Sequence, residues 1–310
     1  MPVVPGHALP LSHQPGDVRL SWPKVIWNGG IISGAVVLPV LFFDPVIATF
    51  SAVATAGLLC FGHSVGMHRG VIHGAFKMGV WTERALVYLV VLTGIGGPLA
   101  LMRMHNTRDR HQNREAAPDY YTFAHSMGQD CAWYLFFDHT GPPALIDAER
   151  EVDPFYQFME RTWRWQQLPW AIVLFWAFGW PAVAFGVFGR VASCVVGHWF
   201  VNYVCHTRGY RRFRMPGSGE EGRNNVLWGP LAIGEGWHNN HHAFPASARF
   251  GIAWWELDPG WYAVRLLQSM RLIWDVKTWQ QGAELRPGAR VNPLDGVHEA
   301  IESSLSPWAE

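Results

Sequence analysis

The sequence predicts an all-α membrane protein: four transmembrane helices in two hairpins, with a cytosolic helical cap that carries clustered histidines. Three observations predict it. Of the 310 residues, 49% are hydrophobic and only 15% are charged, whereas soluble domains average about 25% charged residues. Uncharged apolar runs recur near the length of about 20 residues that a helix needs to cross a bilayer. The chain also holds 18 tryptophans, and bilayer interfaces are a natural home for so many aromatic side chains.

Residues 1–24 read as a cytosolic N-terminal arm rich in Pro, Gly and His, with His7 and His13 as solvated surface residues. A membrane domain follows over residues 25–280, and 281–310 is a Pro-containing tail. The first hairpin joins spans at about 25–43 and 45–62, broken by Asp44-Pro45 because proline cannot continue a helix from within. Gly29, Gly30, Gly34 and Ala35 offer small contacts for a helix interface. An apolar segment at about 85–101 is interrupted by Gly94, Gly96, Gly97 and Pro98. The second hairpin joins spans at about 168–187 and 190–205, with its turn at Gly186 to Gly189. A further Trp-rich helix is expected within Trp254 to Trp274. Arg69, Lys77, Arg84 and the basic stretch Arg208 to Arg214 fall on one side of this topology, and the connections near Asp44 and Gly189 carry little positive charge. The positive-inside rule makes the basic side cytoplasmic. The zero net charge leaves no basic footprint for nucleic acid. Cys60, Cys131, Cys194 and Cys205 lack CxxC spacing, so neither a disulfide framework nor a cysteine zinc site is indicated.

Chemistry concentrates in the histidines. In Gly234-Glu235-Gly236-Trp237-His238-Asn239-Asn240-His241-His242, a helix places His238, His241 and His242 at i, i+3 and i+4, on one face. Crowded imidazoles repel when protonated, whereas a metal binds them in their neutral form. Three further elements end or follow apolar segments: His63-x4-His68, His105 to His111, and Asn202-x3-His206. So many imidazoles without thiolates favour iron over a four-ligand structural zinc. If the segment at 85–101 spanned the bilayer, His63 and His105 would lie on opposite faces, so assembly of one metal site argues for an embedded segment. His198, Asn202 and His206 form one stripe at i+4 spacing. His198 is open to two readings, a channel-lining residue or a histidine bonded to a neighbouring helix. His125 and His139 read as structural.

These motifs resemble those of membrane fatty acyl-CoA desaturases of the stearoyl-CoA desaturase type. GEGWHNNHHAFP over residues 234–245 resembles the family's third histidine box, His63-x4-His68-Arg69 its first, and Asn202-x3-His206 its Asn-x3-His element. The resemblance runs from about residue 25 to about 280. It implies an embedded helix at about 85–101 and a di-iron centre that uses O2. The expected metal ligands are His63, His68, His105, His206, His238, His241 and His242. Asn202 is expected to hold a metal-bound water, and Arg103 to contact the acyl-carrier end of the substrate. Glu235 is read as orienting a histidine through a hydrogen bond. The implied partners are a fatty acyl substrate, membrane lipid, and a separate electron donor (ferredoxin, rubredoxin or cytochrome b5-like) with its reductase.

The second box departs from the family pattern His-x-x-His-His. Arg103, His105 and Pro118 keep the frame, but Arg108 and Asp109 stand where the paired histidines are expected. Asp109, at i+4 from His105, is a candidate carboxylate ligand; Arg108 stays protonated and cannot ligate. His111 and His73 are candidate substitutes. In the opposing reading Arg108 and Asp109 form ion pairs and one metal site is weakened or lost. The function implied is O2-dependent desaturation of a fatty acyl chain. The alternatives are a lipid or terpenoid hydroxylase on the same scaffold, and a non-catalytic or altered-metal membrane lipid-binding homologue.

Overall fold

The computed structural model describes residues 18–112, 118–141, 144–219 and 221–292. The arm residues His7 and His13 and the end of the tail lie outside the described residues. The first hairpin is α1 (Trp22–Leu41) and α2 (Pro45–Gly57), which continues as a π-helix through Leu58–Ile72. Asp44 caps α2, its carboxylate accepting from the backbone N–H groups of Val46 and Ile47. Then come α3 (Val80–Leu92), α4 (Pro98–Gln112), α5 (Met127–Phe136), α6 (Ala148–Val152) and α7 (Pro154–Thr162). A long run follows: α8 (Gln167–Val183), a π-helical turn at Ala184–Gly189 and α9 (Arg190–Thr207). The short α10 (Trp228–Leu231) and α11 (His238–Ala243) precede α12 (Pro259–Ser269), which occupies the middle of the stretch expected to be Trp-rich helix.

Among the described residues, three helical runs are long and apolar enough to cross a membrane: Trp22–Leu41, Pro45–Ile72 and Gln167–Thr207. Their outward faces are apolar, with Val40 79% and Trp176 82% exposed. Such a belt is a liability in water and a match for lipid. The third run does not turn at Gly186 to Gly189. It breaks at Gly179, whose φ of 71° and ψ of −164° leave helical space. Gly186 then packs back on Leu174, where an added Cβ would sit 2.9 Å from Cδ1. Glycine tolerates that positive φ and Pro181 stands two residues on, so the backbone reverses where the chain is least resistant. α3 has 13 residues, or about 20 Å, shorter than the hydrocarbon core of about 30 Å.

The π-helix lies along α3 with glycine at the contact. A Cβ on Gly62 would fall 2.6 Å from the backbone N of Val90, and one on Gly66 2.6 Å from Leu86 Cβ. Small residues thus allow the close helix approach that positions the first histidines. Val65, Leu86, Val264 and Ile273 form one buried cluster beneath it; Met67, Val87, Val90 and Leu101 form another. Among the described residues, three antiparallel two-stranded ribbons supplement the helices: β1 (Val18–Leu20) pairs with β3 (Phe137–His139), β2 (Lys77–Met78) with β5 (Ile273–Trp274), and β4 (Phe213–Arg214) with β6 (Arg290–Val291). They tie together segments far apart in sequence.

Candidate metal centre

Histidines five residues apart are about 140° apart on an α-helix, at 100° per residue. The π winding changes that: the His73 backbone N–H donates to the His68 carbonyl at 3.1 Å, the i to i+5 bond. His68 and His73 thereby face one another, ring centroids 4.9 Å apart. His105 enters from α4. Its Nε2 lies 3.1 Å from His68 Nε2 and 3.3 Å from His73 Nε2. His241, from α11, completes a group whose four ligand atoms all lie within 4.8 Å of one another. A second group joins His206 from α9 to His238 and His242 from α11. There His238 Nε2 lies 3.1 Å from His206 Nε2 and 3.0 Å from His242 Nε2.

Both groups fit a metal. His105 and His238 each face two other Nε2 atoms, and a neutral imidazole carries a single N–H to share among them. A cation instead accepts every lone pair at once. Nitrogens at about 2.1 Å from a common ion lie about 3.0–3.4 Å apart in ordinary geometries, which is the spacing found. The protonation states agree. Burial, then the His105 imidazole, pushes the pKa of His73 down to about 3. Burial, then the Arg108 charge, pushes His105 down to about 4. Burial first, and then neighbouring imidazoles, hold His238, His241 and His242 well below the ordinary value. All are therefore neutral at physiological pH, the form that ligates metal.

A family model for fatty acid desaturases matches residues 25–272. The chain belongs to the fatty acid desaturase family. It is similar to an sn-1 stearoyl-lipid 9-desaturase of Anabaena variabilis, 32% identical over 84% of this chain and 94% of the relative. An sn-2 palmitoyl-lipid 9-desaturase of Nostoc is 32% identical over 82% and 89%, and an icosanoyl-CoA 5-desaturase of Limnanthes douglasii 31% over 81% and 73%. Membership makes the chain an oxidoreductase.

In this desaturase the remaining sequence candidates take varied places. His63 belongs to neither group; its ring lies 4.8 Å from that of His198, whose Nδ1 is 2.8 Å from Tyr134 Oη. Asp109 is outside the four-histidine group, with a carboxylate oxygen 3.7 Å from His105 Nδ1. His111 also stands apart, stacked on Tyr121 at 4.7 Å. Six residues on a helix amount to a rotation of about 240°, so His111 leaves the face that carries His105. Asn202 Oδ1 accepts a 2.8 Å hydrogen bond from Arg108 Nη1. Glu235 Oε2 lies 2.6 Å from His68 Nδ1, and its Oε1 accepts from Ser64 Oγ at 2.5 Å. That contact turns the ring so that Nε2 points at His105. Arg103 is partly exposed and pairs with Glu151 at 2.6 Å.

The residues that hold α11 in place were not legible in its motif. Asn239 and Asn240 occupy the face opposite the histidines. Asn239 Nδ2 donates to the Phe213 and Gly222 carbonyls, and Asn240 Oδ1 accepts from Arg212 and Asn224. Arg212, fully buried, makes two 2.7 Å bonds to Glu256. Arg69, also fully buried, donates to Asp258 at 2.9 Å and to the Ala248 carbonyl at 2.8 Å. Gly234 has φ +92°, and a Cβ there would meet Asp258 Oδ1 and Arg69 Nη2, so this turn and this ion pair require glycine. Arg69, placed directly after His68 in the sequence, was the available signal, since an unpaired charge is not tolerated inside.

Proposed function

We propose that the chain catalyses O2-dependent desaturation of a fatty acyl chain, carried as acyl-CoA or acyl lipid, at two irons held by the two histidine groups. The observation that carries this reading is that both groups open onto one largely apolar cavity of about 250 Å³. Its apolar lining includes Leu59, Met67, Ile72, Leu101 and Met104, and its polar end includes His68, His105, His238, His242 and Glu235. An alkyl chain lying along that lining has its carbons beside the histidine groups. Iron bound there supplies the oxygen chemistry that side-chain acids and bases lack.

Desaturation breaks one C–H bond on each of two adjacent carbons and leaves a double bond. If O2 departs as two waters, two electrons and two protons must come from elsewhere. A ferredoxin, rubredoxin or cytochrome b5-like donor and its reductase fill that need. The reversal at Gly179 supports two crossings by the third apolar run, hence four spans in two hairpins. The basic residues at the histidine-bearing ends, Arg69, Lys77, Arg84 and Arg208 to Arg214, support a cytoplasmic metal centre. Purified protein supplied with a saturated acyl-CoA or acyl lipid, O2 and an electron donor should yield product lighter by two hydrogens. Product heavier by one oxygen would instead assign a hydroxylase.

A further inference from the structure

The two histidine groups are not equivalent, and the difference lies in what surrounds them. The first presents four imidazoles, His68, His73, His105 and His241; the second presents three. Carboxylates stand behind the first: Glu235 Oε2 is 2.6 Å from His68 Nδ1 and Asp109 Oδ2 is 3.7 Å from His105 Nδ1. Such carboxylates raise ligand basicity and fix ring orientation. Cations stand around the second. Arg223 Nε donates to the backbone carbonyl of His206 at 3.2 Å. Arg108 reaches from α4 to Asn202, one turn before His206 on α9, and lines the cavity onto which both groups open. The guanidinium cannot discharge itself at any working pH. It also occupies Asn202 Oδ1, an oxygen donor next to that group.

A dication entering the second group meets one ligand fewer, an engaged oxygen donor and a fixed positive charge in a site of low dielectric, where charge repulsion is felt most. We propose that the two groups are unequal metal sites: His68, His73, His105 and His241 retain their metal, whereas Arg108 bound to Asn202 leaves His206, His238 and His242 as an exchangeable site. This rests on the metal-dependent reading above and goes beyond it, because it predicts a mono-metal resting form that takes up its second ion reversibly.

The test is a count of bound iron. The full chain in mild detergent is loaded anaerobically with ferrous iron and dialysed against a moderate chelator, and iron per chain is followed by elemental mass spectrometry. Loss in two phases is expected, with about one iron leaving quickly and about one retained. His73→Ala should abolish the slow phase. Arg108→Gln removes the charge and keeps a donor for Asn202; it should prolong retention of the fast ion about tenfold or more, the scale on which groups around a ligand set tune affinity. Circular dichroism checks that each variant is folded, and His73→Ala tests the other site independently of Arg108. Two irons leaving together from the wild type, or a fast phase unchanged in folded Arg108→Gln, would overturn the inequality and leave the di-iron reading standing. Folded wild type that binds no iron would overturn both.

Discussion

At the residue scale, the site depends as much on what holds each imidazole as on the imidazoles. Glu235 and Asp109 touch His68 and His105 at Nδ1, the side turned away from the other Nε2 atoms. Glu235→Gln and Asp109→Asn should each weaken metal binding to the four-histidine group about 10–100-fold, the usual effect of removing such a partner. Competition against a chelator of known affinity measures this, and unchanged affinity would show that the carboxylates are bystanders. His241→Ala, which deletes one of its four imidazoles, should turn slow metal release from that group into fast release. Arg103 spends one donor on Glu151 and has others to offer. If it meets the acyl carrier's headgroup, Arg103→Ala should raise KM while kcat stays near its wild-type value.

At the element scale, the unusual piece is the π-helix over Leu58–Ile72. Its winding turns a five-residue spacing into a shared face, and its glycines let α3 approach until a methyl group no longer fits. Gly62→Ala would drive a carbon to 2.6 Å from the Val90 backbone nitrogen, where no side-chain rotation relieves the clash. Destabilisation of about 1–3 kcal/mol is expected from overpacking of this kind, read as a lowered midpoint in thermal unfolding in detergent. Metal retention should fall with it, because the same helix carries His68 and leads to His73. A Gly62→Ala protein with wild-type stability and metal content would show that the two helices separate freely.

At the scale of the whole molecule, buried ion pairs and hydrogen bonds tie together elements far apart in sequence. Arg69 and Asp258, both essentially inaccessible, join the first helical hairpin to the start of α12. Arg69→Met leaves Asp258 buried without its partner and should cost about 3–5 kcal/mol, measured as loss of folded protein on heating. A second tie is Glu83, which accepts hydrogen bonds from Arg150 and Tyr156. Burial pushes its carboxyl up, but those bonds outweigh burial and leave it below the ordinary value of 4.5. The stability it contributes is therefore fully present above the unfolded value and is lost as pH falls through the lower folded value. Thermal midpoints should drop on acidification below about pH 4.5, and Glu83→Gln should flatten that drop. An identical acid profile in the variant would remove Glu83 from the account.

Local periodicity determined what the sequence could reveal by itself. Apolar runs marked the membrane helices, and the i, i+3, i+4 spacing of His238, His241 and His242 placed three imidazoles on one face of a short helix. The metal-binding character followed from residue type alone. Only the tertiary structure decided the rest. His73 joins a ligand group because the helix is π-wound, and a sequence read at α-helical periodicity puts it on another face. The third apolar run breaks at Gly179 and not at Gly186 to Gly189, because a glycine's φ is chosen by packing and not by composition. Arg69 finds Asp258 189 residues away, and Arg108 finds Asn202 94 residues away. Such pairs are fixed by the close packing of whole helices, and no short stretch of sequence contains them.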